Sequence, residues 1–411
     1  MDRIIFHIDV NSAYLSWQAV HMKKEGYEGE DIRNIPSVIG GDEQARRGVV
    51  LAKSDMAKKK GVKTGMSLFE ARKLCPELKT YPANFRIYRH YSDSLYRILT
   101  DYSDSIERYS IDECFLDYSE SRLLFGHPVK AAHEIQKRIY DELGFTVNIG
   151  ISSNKFLAKM AGELEKPNRV ITLFPEEMEE KFFPLGIDEM FMVGRSTRNR
   201  LNRLGVNTVG DLNALSLEFL IKNFKNAQGT MLFNYSHGID ESEIVTERQT
   251  KSVGNSITLP EDVKGIADMK DIIFFLSDSV GRRLRKKDLK GNVIQVSLKN
   301  SDFYTVSHQK TLNFFTNSTK TIRENAMELV KEFYRGDRIR LIGVSVSGLD
   351  RKNISQLSFF EEQNEDERNN DVEHLIDTLK TRYGDAAINK GASGAQIQGS
   401  RHISEKIDFY K

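Results

Sequence analysis

The stretch IFHIDVNSAY, residues 5–14, begins with apolar and β-branched residues and reaches its first carboxylate at Asp9. Residues 4–10 predict a buried β-strand, because β-branched side chains fit a packed, pleated surface. Asp9 falls at the end of that strand, where a carboxylate is costly unless it is paired or binds a metal. Asp9 is therefore the first candidate functional residue.

A second pair of acids lies in SIDECFLDYS, residues 110–119. Residues 106–118 alternate in the manner of a β-hairpin that is interrupted around Asp112 and Glu113. If this hairpin lies beside the first strand, three acids converge. Converging carboxylates can hold two Mg²⁺ ions about 3.5 to 4 Å apart, which is an arrangement used for phosphoryl transfer. Each acid alone is equally well explained as an ordinary turn or strand-edge residue.

The rest of the chain predicts an α+β layer followed by two further units. A helix, a strand and a second helix are expected after the hairpin, at residues 128–143, 146–151 and 154–165. Short helices with a tight glycine turn are expected over residues 175–240, and such a turn can offer backbone N–H groups to a phosphate. A separate α+β unit is expected over residues 251–349, with strands at 293–298 and 340–346 and helices at 269–286 and 322–333.

Composition bounds the class of protein. A length of 411 residues predicts about three domains. With 39% hydrophobic and 29% charged residues, the chain can bury several cores. The net charge is only +1, yet the block GRRLRKKDLK at residues 281–290 has six basic residues and one acid. Such local asymmetry, rather than net charge, is what a nucleic-acid footprint requires.

Cysteine usage and hydropathy indicate the compartment. Cys75 and Cys114 have no metal-ligand spacing and cannot form a disulfide framework, which favours a reducing cytoplasm. The apolar runs are far shorter than a membrane span. We therefore expect a cytoplasmic protein with no membrane partner.

Three stretches of the chain resemble signatures of the Y-family DNA polymerases, especially their bacterial DNA polymerase IV branch. These are IFHIDVNSAY, SIDECFLDYS and GISSNKFLAKMAGELEKPN, and they occur in the family's order and at compatible spacing. The resemblance extends from residue 1 to about residue 350 through RRGVV, GVKTGM, VGRSTRNRLNRLGVNTVGDL and KSVGNSITL. It implies a template-directed, low-fidelity DNA polymerase that acts in translesion synthesis and DNA repair.

The resemblance also implies an α+β, multidomain fold shaped as a right hand. Its parts would be a ferredoxin-like palm (1–12 and 84–174), small fingers (13–83), a helix-hairpin-helix thumb (175–240) and an α+β little finger (250–350). A polar tail would follow (351–411). Primer–template DNA and dNTPs would be the substrates of an enzyme that we expect to be a monomer.

Catalytic roles follow from the same resemblance. Asp9, Asp112 and Glu113, with the backbone carbonyl of Val10, would bind two Mg²⁺ ions. Tyr14 occupies the steric-gate position, where an aromatic ring excludes a ribose 2′-hydroxyl; its alternative is a core tyrosine. One departure is Asn11, because family members commonly have a second acid there.

Two lysines correspond to groups that contact the triphosphate. Lys166, in Lys-Pro-Asn, would offset charge on the leaving pyrophosphate, and its alternative is a solvated lysine at a helix end. In the fingers, the usual Tyr and Arg fall at Asp55 and Lys58. Lys58 keeps the positive charge without the bidentate fork of arginine. An acid at position 55 near phosphates is unfavourable unless a metal or neighbouring lysines offset it.

Two further segments predict contacts with macromolecules. DNA phosphates would be bound through the basic block, at Arg282, Arg283, Arg285, Lys286 and Lys287, although a solvated helix face would have the same composition. The segment QLSFF resembles the peptide by which bacterial polymerases bind the sliding clamp, at Gln356, Leu357, Phe359 and Phe360.

Two other functions remain open from the sequence. A catalytically silent relative that serves as a DNA-binding scaffold would be expected to lack acids that are all present here. A metal-dependent nuclease also needs clustered carboxylates, but it has no obvious use for a sugar gate at Tyr14.

Overall fold

The computed structural model describes residues 3–41, 48–247, 249–350 and 361–384, with only the backbone for 361–371. It divides into two compact units, one from residues 1–41 and 49–248 and the other chiefly from residues 249–411. The strands of the first unit are β1 (Ile5–Val10), β2 (Ser37–Gly40), β3 (Val50–Lys53), β4 (Lys79–Pro82), β5 (Ile106–Arg108), β6 (Glu113–Asp117), β7 (Val147–Ser152) and β8 (Val170–Thr172).

The helices of the first unit are α1 (Ala13–Lys24), α2 (Asp55–Lys59), α3 (Leu68–Leu74), α4 (Phe85–Thr100), α5 (Arg122–Phe125), α6 (Pro128–Leu143), α7 (Lys155–Leu164), α8 (Met178–Lys181), α9 (Arg195–Arg203), α10 (Val209–Asn213) and α11 (Leu217–Ser236). The second unit contains β9 (Ser252–Val263), α12 (Ile266–Lys286), β10 (Lys290–Asn300), β11 (Thr305–Thr316), α13 (Thr319–Phe333), β12 (Ile339–Asp350) and α14 (Glu361–Tyr383).

A five-stranded sheet with the order β5-β6-β1-β7-β8 forms the centre of the first unit. Strand β1 lies between β6 and β7 and is antiparallel to both, and all six of its residues are buried. This explains why its sequence is almost continuously apolar, since both faces of the strand are covered. Helices α1, α4 and α6 contribute to the core of this sheet, in which Trp17 and Tyr88 are fully buried.

Helix α7 packs unusually closely on β7. A Cβ atom at Gly150 would lie 2.0 Å from the carbonyl oxygen of Ala158 and 2.4 Å from the backbone nitrogen of Gly162. Only glycine permits this approach. The helix begins at Asn154, whose side chain accepts a hydrogen bond from the backbone N–H of Leu157. The stretch GISSNKFLAKMAG thus fixes the helix against the sheet.

Two smaller parts complete the first unit. A three-stranded sheet, β3-β2-β4, contributes to a small core that includes Val38, Val50 and Leu68. The short helices α8 to α11 form another core with the outer face of α7, to which Leu157 and Met160 contribute. Helix α1, which opens the predicted fingers, packs in the core of the five-stranded sheet.

The second unit is an antiparallel sheet, β11-β10-β12-β9, covered by α12 and α13. Apolar residues of α12 recur at helical spacing on the covered side, for example Ile273, Leu276, Val280 and Leu284, which are all fully buried. Residues of β10 alternate, so that Ile294 and Val296 face this core. The sequence does not predict β9 and β11, and β11 has mostly exposed residues because it is an edge strand.

Candidate active site

Two carboxylates face each other at the end of the central strand. The register of β1 and β6 sets Asp9 directly opposite Glu113. Directly opposed residues on antiparallel strands place their side chains on the same face of the sheet. The backbone N–H of Val10 donates to the carbonyl oxygen of Asp112 at 3.1 Å, so Asp112 also lies at this end of β1. The structure therefore brings the backbone of the three predicted acids together.

Asp9 is paired with Lys166. The Lys166 ammonium lies 2.5 Å from Asp9 Oδ2 and 2.8 Å from Glu163 Oε1. Burial raises the pKa of Asp9, and the charge of Lys166 opposes this rise only in part. Burial would lower the pKa of Lys166, but the two neighbouring carboxylates outweigh it and raise that pKa. The predicted triphosphate lysine is thus a charged group beside the first candidate metal ligand.

Glu113 has two partners, His7 and Lys159, that the sequence motifs do not indicate. Its Oε2 atom accepts hydrogen bonds from Lys159 Nζ at 2.6 Å and from His7 Nε2 at 3.2 Å. Burial alone would raise the pKa of Glu113, but these bonds lower it to about 2. A signal for both partners was present in the sequence. His7 is a polar residue within an apolar strand, and Lys159 is a charged residue on the apolar stretch of α7.

The tautomer of His7 follows from these contacts. Burial lowers the pKa of His7, whose side chain is fully buried, and the hydrogen bond to Glu113 opposes this change only in part. An ionised Glu113 can only accept hydrogen bonds, so Nε2 of His7 must hold the ring proton. His7 Nδ1 lies near the backbone of Gly162, where a Cβ atom would approach it to 3.2 Å.

Asp112 lies in the turn before β6, where the sequence pattern predicts an interruption of the hairpin. Its Oδ1 atom accepts a hydrogen bond from the Ser110 hydroxyl at 2.6 Å. Among the side chains that the structure describes, no three from His, Cys, Asp and Glu form a ready metal site. The three acids supply hard oxygen donors of the kind that Mg²⁺ prefers, and in this structure their carboxylates pair with lysine and serine.

Tyr14 lies five residues after Asp9 in the sequence, near the start of α1. Its ring stacks on that of Tyr88, with 4.8 Å between centroids, and meets the edge of Phe85 at 5.8 Å. The side chain is half-buried. An aromatic ring held in this way on a rigid helix has a fixed position, as a steric gate requires.

The predicted fingers lysine, Lys58, is exposed on α2. Asp55 stands in the first turn of the same helix, directly after the N-cap Ser54, where an acid interacts favourably with free N–H groups. The position of Asp55 in this first turn therefore explains an acid at this site without any role in nucleotide binding. Burial, and then the charge of Lys58, lowers the pKa of Lys53 on β3. Two cationic groups are therefore close together here.

The prediction that Arg285 contacts DNA is wrong for this structure. The Arg285 side chain is buried, and its guanidinium lies 2.6 Å from Glu373 Oε2 and 2.6 Å from Asp377 Oδ2 on α14. It cannot reach a phosphate while these bonds persist. Lys286 and Lys287 are exposed, whereas Arg282 and Arg283 are half-buried, and Arg283 donates to the carbonyl oxygen of Gly254 at 2.8 Å.

The predicted clamp-binding residues, within 356–360, lie outside the residues that the structure describes. No helix in the described part of the chain is long and apolar enough to cross a membrane. Both cysteines are free and buried.

Comparisons with known proteins identify the family of the chain. Residues 8–163 match the impB/mucB/samB family, and residues 250–359 match the C-terminal domain of that family. Residues 192–240 match the DNA polymerase-iota thumb domain. The chain is 43% identical to DNA polymerase IV of Clostridium acetobutylicum, over 94% of this chain and 97% of that protein. It is 34% identical to DNA polymerase IV 2 of Bacillus subtilis, over 95% of each.

The fold has a counterpart among solved structures. A Y-family DNA polymerase chimera, Dbh-Dpo4(243-245)-Dbh, superposes with a TM-score of 0.74 at 23% sequence identity. The match covers 85% of this chain and all of the chimera. The chain belongs to the Y family of DNA polymerases, and its fold is the α+β right hand of that family. Within the family, the relatives that it resembles over nearly its whole length are named DNA polymerase IV.

Proposed function

We propose that this protein is a template-directed, low-fidelity DNA polymerase that acts in translesion synthesis and DNA repair. It is a DNA-directed DNA polymerase whose substrates are primer–template DNA and dNTPs. One observation carries the proposal: the register of β1 and β6 sets Asp9 opposite Glu113 at the strand end that also holds Asp112. Membership of the family gives this group of acids its chemistry.

The enzyme is a divalent-metal-dependent nucleotidyltransferase. When bound, the metal activates the primer 3′-hydroxyl and stabilises charge on the phosphates. We assign the ion as Mg²⁺, with two ions per site, and its ligands as Asp9, Asp112, Glu113 and the carbonyl oxygen of Val10. The oxygen donors suit this ion. Glu113 is available as a ligand because it stays ionised throughout the physiological range of pH.

Substrate selection would rest on residues around the acids. Tyr14, fixed by its stacking on Tyr88, would exclude a 2′-hydroxyl from the sugar site. Lys166 would turn its ammonium from Asp9 to the triphosphate, since only the end of a flexible side chain has to move. Lys58 would add a second, weaker contact from the fingers.

The proposed parts of the hand are a palm (1–12 and 84–174), fingers (13–83), a thumb (175–240) and a little finger (250–350). DNA phosphates would be bound by the exposed Lys286 and Lys287, with Arg282 and Arg283 as further contacts. These contacts would be independent of sequence and sensitive to salt.

Further proposals concern partners and compartment. Residues 356–360 would bind the sliding clamp, and the polymerase itself would be a monomer. Its two buried, free cysteines suit a reducing cytoplasm, which we propose as its location.

Primer extension tests the function. The purified protein should extend a labelled primer on undamaged and abasic templates, with added nucleotides that follow the template base and with full dependence on a divalent metal. Shortening of the labelled strand would instead indicate a nuclease. DNA binding without any extension would indicate a silent scaffold.

A further inference from the structure

Two asparagines join the end of β1 to the loop that holds Lys166. Asn11 directly follows β1, and Asn148 lies on β7, opposite Asp9 in the register. Asn11 Nδ2 donates to Asn148 Oδ1 at 3.0 Å, and the Asn148 side chain is fully buried.

The contacts of Asn148 fix its amide orientation. Its Nδ2 atom donates to the carbonyl oxygens of Gly162 at 3.0 Å and Glu165 at 2.6 Å. Carbonyl oxygens only accept hydrogen bonds, so the amide nitrogen must face them. Its Oδ1 atom therefore faces Asn11 and also accepts from the backbone N–H of Arg169 at 3.3 Å.

The contacts of Asn11 are equally determined. Its Oδ1 atom accepts from the Thr146 hydroxyl at 2.9 Å and from the backbone N–H of Asn168 at 3.0 Å. The two amides thus hold Glu165 and Asn168, which flank Lys166 on either side. Lys166 is the residue whose ammonium contacts Asp9.

We infer that Asn11 is a positioning residue that acts through Lys166: the Asn11–Asn148 amide pair fixes the backbone of the loop of residues 165–169, and so places Lys166 where its ammonium can reach from Asp9 to the triphosphate. The inference rests on the proposed role of Lys166 in binding the triphosphate. It also explains why an amide stands at position 11. An aspartate at position 11 would place a carboxylate oxygen next to Asn148 Oδ1, and two acceptors repel each other. A flip of the Asn148 amide would not relieve this repulsion, because its oxygen would then face two backbone carbonyl oxygens.

The test measures nucleotide affinity separately from the rate of chemistry. In single-turnover primer extension, Asn11→Asp should raise the dissociation constant for dNTP about tenfold, with a smaller effect on the maximal rate. Thr146→Val is isosteric, adds no charge and removes one hydrogen bond to Asn11, so it should raise the dissociation constant for dNTP about threefold. This variant tests the inference if Asn11→Asp does not fold. Asn34→Asp adds the same charge at an exposed position and should leave affinity unchanged.

A double-mutant cycle decides whether Asn11 acts through Lys166. The double variant Asn11→Asp with Lys166→Ala should bind dNTP no more weakly than Lys166→Ala alone. Fully additive losses, or wild-type affinity in both Asn11→Asp and Thr146→Val, would overturn the inference while leaving the role of Lys166 intact. Wild-type affinity in Lys166→Ala alone would overturn that role in the proposed function, and the inference with it.

Discussion

Substitution of Gly150 by alanine tests how the fold positions the active-site lysines. The added Cβ atom would lie 2.0 Å from the carbonyl oxygen of Ala158, whereas Cβ atoms rarely approach other atoms within 3.0 Å. Helix α7 must therefore retreat from the sheet by about 1 Å. The hydrogen bond of 2.6 Å between Lys159 and Glu113 would then be lost. We expect a loss of stability of about 3 kcal/mol and a loss of extension rate of about a hundredfold.

Urea denaturation followed by tryptophan fluorescence measures the stability effect directly, because the chain has a single tryptophan and Trp17 is fully buried in the core of the five-stranded sheet. Gly194→Ala is the matched control, since a Cβ atom there would meet open space. It should change stability by less than about 1 kcal/mol. If Gly150→Ala unfolds at the wild-type urea concentration and extends primers at the wild-type rate, close packing of α7 does not position the site.

Three further outcomes are expected. Tyr14→Ala should gain incorporation of ribonucleotides while it retains use of dNTPs, measured by the ratio of their incorporation efficiencies; an unchanged ratio would place the sugar gate at another residue. Arg285→Ala should lower the melting temperature, because it leaves Glu373 buried without its cationic partner. Lys286→Ala should instead weaken DNA binding and reduce its salt dependence. If Arg285→Ala weakens DNA binding and Lys286→Ala does not, Arg285 is a DNA contact after all. Alanine at Gln356, Leu357, Phe359 and Phe360 together should abolish stimulation of extension by the sliding clamp and leave clamp-independent extension unchanged. If the clamp stimulates this variant as much as the wild type, the segment is only a linker.

The sequence predicts those parts of the fold whose pattern is set by burial. Strand β1 is apolar because both of its faces are covered, and α6 has the bounds that its helical spacing predicts. Strand β11 was missed because an edge strand with exposed side chains shows little alternation. The basic block around Arg285 shows the same limit. Composition reveals charge, but only the structure reveals that acids of α14 bury this guanidinium.

For the site, the sequence indicates the acids and not their partners. Asp9 and Glu113 stand out as carboxylates in apolar strands. Their pairing with Lys166 and Lys159 depends on strand register and on the packing of α7, which join residues more than 40 positions apart. The role of Asn11 was likewise hidden, because the meaning of an amide there depends on Asn148, which only the sheet brings beside it.

We propose that Asp112 and Glu113 supply the chemistry of nucleotidyl transfer without supplying DNA affinity. Single-turnover addition of one nucleotide by Asp112→Ala and Glu113→Ala, alongside primer–template binding by fluorescence anisotropy, tests it most directly. Asp104→Ala, at an exposed position, is the control for removal of a carboxylate. We predict that both variants bind DNA as the wild type does and lose extension by several orders of magnitude, while the control keeps it. Extension at the wild-type rate by either variant would contradict the claim.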